Sequence, residues 1–101
     1  MLIEEKTLSF EEIAMMAGYH TDGQSGRLIL EPSDETAEQL TLAALKLVGR
    51  WQPGMPALIL TLTGPGPIWG YLAIAEGLRS RILGLKYAAP NATILIWSRG
   101  Y

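Results

Sequence analysis

The chain of 101 residues is 49% hydrophobic and 18% charged, contains no cysteine and carries a formal net charge of −2. Without sulfur ligands, disulfides, thiol nucleophiles, thiolate zinc sites and iron–sulfur clusters are excluded, and without a positive field nonspecific binding to duplex nucleic acid is not expected. The longest apolar run, Ala57 to Leu62, is broken by Thr61 and falls far short of the ~20 residues that span a bilayer.

One compact domain over residues 1–101 is therefore expected, with no membrane partner. The start, Met1-Leu-Ile-Glu-Glu-Lys, is acidic where a secretory signal is basic, which points to the cytoplasm. A mean hydropathy of +0.18 is high for a lone small domain, where surface dominates, and it suggests a homodimer or higher homo-oligomer.

Along the chain, Leu2-Ile3 opens a short strand, and Ser9-Phe-Glu-Glu12 has the form of a capping box. Phe10, Ile13 and Met16 then share a helical face, and Gly18 is placed as its left-handed stop. From Tyr19 to Gly26 the residues are turn formers, expected to make a mobile loop. Arg27-Leu-Ile-Leu-Glu31 reads as a short strand, and Ser33 as the N-cap of a helix from Asp34. Ala37, Leu40, Ala44, Leu47 and Val48 recur at helical spacing, with Gly49 placed to end the helix.

Pro53-Gly-Met-Pro56 makes a turn into Ala57–Thr63, which lacks alternation and is expected to be a strand covered on both faces. After Gly64-Pro-Gly-Pro67, an apolar stripe of Ile68, Leu72, Ala75, Leu78 and Ile82 predicts a second long helix closed by Gly84. Gly70 and Gly77 lie two turns apart on that helix, which suggests close approach of the sheet or a second subunit. Ala92–Trp97 is the last strand. Strands separated by helices imply right-handed βαβ crossovers, hence an α/β domain of two or three layers with a short, mainly parallel sheet.

Ligands of open α/β sheets lie beyond the carboxyl ends of the strands, and three segments are expected there: Glu31–Ser33, Thr63–Trp69 and Ser98–Tyr101. In the middle one, Thr63-Gly64-Pro65-Gly66-Pro67-Ile68-Trp69 runs from a strand into a helix, so free amides and the positive helix end favour a phosphate or carboxylate. The glycines would admit a ligand close to the backbone. Pro65 and Pro67 each remove a donor, and neither a Walker loop nor a dinucleotide fingerprint is present. Trp69 is suited either to stack on a base or to pack as a core or interface residue, and Arg99 is the cation expected at the same end. His20, the only histidine, has no catalytic or metal-binding companion in sequence, so no metal and no cofactor are expected.

The strand and turn ending in Gly66-Pro67-Ile68-Trp69, followed by Leu72-Ala73, resemble the ring nucleases of type III CRISPR systems, whose apolar strand ends in a glycine turn and Gly-Pro-Ile-Trp-Leu. The resemblance implies a Rossmann-like, CARF-like fold and binding of cyclic tetra-adenylate, with Ser33, residues 63–69 and Arg99 as candidate contacts. The family's histidines and its Asp-Pro-Arg after the next strand are missing from Tyr87–Tyr101, so the resemblance implies binding with weak or absent cleavage. A ligand of approximate twofold symmetry would suit a symmetric pair of subunits, with Trp69 or Tyr71 of each stacking on its bases. The alternative is a homo-oligomeric interaction module without a small ligand, in which Trp51, Trp97, Gly70 and Gly77 serve subunit packing.

Overall fold

The computed structural model describes residues 3–51 and 57–99. Leu2, the stretch 53–56 expected to be a turn, Gly100 and Tyr101 lie outside them. The elements are β1 (Ile3–Ser9), α1 (Phe10–Met16), α2 (Asp34–Trp51), β2 (Ala57–Thr63), α3 (Ile68–Leu78), β3 (Gly84–Ala89) and β4 (Ala92–Ser98). They form an α/β fold with a four-stranded sheet ordered β1-β2-β3-β4, compatible with a Rossmann-like fold. The first three strands are parallel, and β4 returns antiparallel to β3.

Both parallel crossovers step the same way across the sheet, so right-handed connections put the helices on one face. Burial agrees with this. Leu8, Leu58, Leu60, Leu62 and Leu85 join Phe10, Ile13, Leu40, Val48, Ile74 and Leu78 in one cluster. Ile59, only 4% exposed, lies outside that cluster because alternation turns it to the other face. Among the described residues that face has no helix; Glu5 and Lys86 form an ion pair of 3.4 Å between β1 and β3. The domain therefore has two layers, in keeping with a shortest dimension of 20 Å, and although β2 is buried or half-buried along its length, helices cover only one of its faces.

The caps behave as the sequence suggests. The Glu12 amide donates to Ser9 Oγ (3.0 Å), and Gly18 takes φ +97 after α1. Ser33 Oγ accepts from the Thr36 amide (3.0 Å) at the start of α2. Gly49 does not stop α2, which runs to Trp51.

Two further expectations fail. Arg27–Glu31 is not a strand of the sheet, since only Leu28 makes an isolated antiparallel bridge, to Thr21. The helix beginning at Ile68 ends at Leu78 rather than at Gly84, its buried face is Gly70, Ile74 and Leu78, and Ile68 and Leu72 stand 77% and 65% exposed. Its residues are apolar on nearly every side, so the stripe did not mark the inner face. Leu83 donates to the Leu58 carbonyl (2.8 Å), so the chain has already entered the sheet there, and Gly84 opens β3.

Candidate functional site

The glycine turn after β2 is held from beneath. Thr63 Oγ1 donates to the Ala88 carbonyl (3.2 Å), fastening the end of β2 to β3. Gly64 has φ +92, a conformation that favours glycine, and its carbonyl accepts a hydrogen bond from the Tyr71 hydroxyl. Phe10 is completely buried below the turn. A Cβ on Gly66 would come within 2.6 Å of the Phe10 ring, and one on Gly70 within 2.7 Å.

Phe10 by itself therefore requires glycine at both positions. Gly77 likewise faces the Thr41 methyl of α2, 2.1 Å from a would-be Cβ, so neither helix glycine is spent on a second subunit. Tyr71, expected as a stacking partner, packs between Phe10 (ring centroids 5.0 Å) and Tyr87 (5.3 Å, edge on). Burial, with a smaller contribution from Tyr87, pushes its hydroxyl up to about 12.

The outer side of the turn faces a groove of about 360 Å³. Pro65, Gly66, Pro67 and Trp69 form one wall; Gly26, Arg27, Leu28 and Leu30 form the other, with Glu11 at the margin. The second wall is ordered by Asp22, which accepts from the Gln24 amide (3.2 Å) and the Ser25 hydroxyl (2.9 Å). These two bonds, the Gln24 amide first, hold its carboxyl below the usual range. The Asp22 amide donates to the Arg27 carbonyl (2.7 Å), and Ile29 donates to the His20 carbonyl (3.1 Å), so the segment from Tyr19 is a hydrogen-bonded hairpin loop.

On the α3 side the Pro67 carbonyl accepts from the Gly70 and Tyr71 amides (3.1 and 3.2 Å). The Ile68 and Trp69 amides have no backbone acceptor among the described residues and lie at the positive end of α3.

The expected site residues are therefore divided. Pro65, Gly66, Pro67 and Trp69 share the groove. Thr63 and Gly64 lie behind it, with Pro65, along a shallower depression bordered by Pro90. Ile68 turns to a separate apolar groove of about 360 Å³, whose floor includes Leu62, Leu85, Tyr87 and Ile96. Ser33 caps α2 and does not line either groove.

Arg99 lies at the far end of the sheet. Because β4 is antiparallel, Ser98 pairs with Gly84 at the amino end of β3, and the Arg99 guanidinium donates to the Arg79 carbonyl. The cation across from Trp69 is Arg27, which sequence reasoning placed in a strand. The available signal was the turn run before it, which folds Arg27 back toward the glycine turn. Among the described residues no three His, Asp or Glu side chains converge to hold a metal. No protein-family model, curated protein or solved structure matches the chain.

Proposed function

We propose that this protein binds a cyclic oligoadenylate second messenger in the cytoplasm, as a homo-oligomer, acting as a sponge or a slow ring nuclease in type III CRISPR antiviral signalling. The observation that carries the reading is the groove between Arg27 and the wall that Trp69 shares with the glycine turn. Trp69 offers a face for adenine, and Arg27 with the Trp69 amide offers donors for phosphate. A groove of about 360 Å³ is at the small end for a ligand pocket and has room for about one nucleotide. A cyclic tetranucleotide would extend beyond it, where a second subunit would supply further contacts.

Glu11 at the margin opposes an anion, which gives the reading a signed test. Titration calorimetry with cyclic tetra-adenylate is expected to show binding that Arg27→Ala weakens about tenfold, the cost of losing one charged hydrogen bond, and that Glu11→Gln strengthens. No heat from the wild-type protein, or indifference to both substitutions, overturns the reading. Cleavage would need only the ribose 2′-oxygen in line with the adjacent phosphorus, forming a 2′,3′-cyclic phosphate as the 5′-oxygen leaves with a proton. Chromatography of the nucleotide after incubation separates sponge from nuclease.

The second reading, an interaction module with no small ligand, is favoured by the exposed aliphatic side chains on α3 and β4. An oligomer that binds no nucleotide is its expected signature.

A further inference from the structure

The two edges of the sheet differ in chemistry. β1 carries Glu4, Glu5 and Lys6, charges that discourage another strand from pairing with it. β4 reads Ala-Thr-Ile-Leu-Ile-Trp-Ser and has no ionisable side chain. Ile94, Leu95 and Ile96 are 51–52% exposed, and they occupy both faces: Ile96 floors the apolar groove beside α3, whereas Leu95 pairs with Lys86 on the open side. The two-residue turn Pro90-Asn91 closes on the Ala89–Ala92 pair. By the alternation of antiparallel pairing, the N–H and C=O groups of Thr93 and Leu95 then point to the free edge. The register shift leaves Ile96 as an extra residue, which ends the regular stretch.

We infer that β4 is a dimer edge, taken by the β4 of a second copy of this chain running antiparallel. Ile94 of each copy lies on the twofold axis opposite its mate, Thr93 bonds the partner's Leu95, and the two sheets become one of eight strands. Charge selects this pairing. β4 against itself opposes no like charges, whereas β1 against itself sets acidic residues near one another, and β1 against β4 gives a head-to-tail contact that does not close. The apolar surface is continuous as well: Ile94, Leu95 and Ile96 are each about half exposed, and Ile68 and Leu72 line the other bank of the groove that Ile96 floors, so the uncharged edge runs into an apolar strip that a second copy would cover.

The inference deepens the homo-oligomeric part of the proposed function and does not depend on the nucleotide. The twofold axis is normal to the sheet, so it sends the two glycine turns to opposite ends of the pair. Each subunit keeps its own groove, and a ring shared between two turns would join dimers end to end.

Light scattering after size exclusion, without nucleotide, is expected to give twice the 11.0 kDa chain mass. Leu95→Lys and Leu95→Pro, at an exposed edge position, are expected to return the single-chain mass with unchanged circular dichroism. A wild-type protein of single-chain mass at about 100 µM, or a dimer that survives both substitutions, overturns the inference. Because the chain has no cysteine, Ile94→Cys supplies a second test. Its Cα atoms would face each other at ~4.5 Å, within disulfide reach, so mild oxidation is expected to link the dimer covalently, while Ile29→Cys in an exposed loop stays unlinked. Equal linking of both variants, or of neither, counts against the β4 axis. Nucleotide binding by a monomeric wild type would leave the ligand reading standing alone, and a dimer blind to nucleotide would do the reverse.

Discussion

Tyr71 ties the glycine turn to the helix that follows it, because its hydroxyl reaches the Gly64 carbonyl while its ring lies against Phe10. Replacing it with Phe keeps the ring and removes the bond, so Tyr71→Phe is expected to lower unfolding stability by about 1 kcal/mol in urea titrations. The alkaline behaviour carries a sign. The folded state keeps the phenol proton up to about 12, whereas the unfolded chain releases it near 10.0. The stabilising contribution of the neutral phenol is thus fully present below pH 10 and is lost as pH rises through about 12. Wild type should lose stability in that window relative to Tyr71→Phe, and parallel pH profiles would rule this out. Gly66 is a companion case. A methyl there meets the side of the buried Phe10 ring, which has no free end to swing away, so Gly66→Ala is expected to cost about 1–3 kcal/mol. Phe10→Leu opens the same space, and the double variant should cost less than the sum of the two singles.

At the level of elements, Ser33 separates structural from ligand roles. Its Oγ accepts from the Thr36 amide and shares a hydrogen bond of 2.9 Å with the Thr36 hydroxyl, and Thr36 is itself buried. Ser33→Ala should therefore cost about 1 kcal/mol in chemical denaturation and leave nucleotide affinity unchanged, since Ser33 does not line the groove. A loss of affinity at unchanged stability would restore Ser33 to the ligand site. Caps, the apolar run of β2 and the Gly-Pro turn were legible because each follows from local chemistry. β3 was not. Gly84–Ala89 has no β-branched residue, and its place in the sheet comes from its pairing with Ile59–Thr63 of β2 and with β4. The direction of β4 depended on β3, and with it went the placing of Arg99. Gly70 and Gly77 signalled close approach, but to side chains of α1 and α2, Phe10 and Thr41, rather than to the sheet or a second subunit, and Gly66, read as room for a ligand, also meets Phe10.

For the whole molecule, high hydropathy and a two-layer architecture pull against each other. A layer of helices on one face leaves β4 without cover, and apolar surface remains exposed on Ile68, Leu72 and Ile94–Ile96. If a second copy covers β4, stability becomes a function of concentration, because mass action favours the associated folded state. A tenfold rise in protein contributes ~1.4 kcal/mol per dimer, or about 0.7 kcal/mol per chain. For a domain of this size, that shifts the melting temperature by about 3–5 °C per decade. Wild type should show this rise in reversible melts, and Leu95→Lys should melt at one temperature throughout the series. The contrast is informative because a monomer gives no upward shift and aggregation of the unfolded chain lowers the apparent midpoint, so an upward shift confined to wild type arises from association of the folded state through β4.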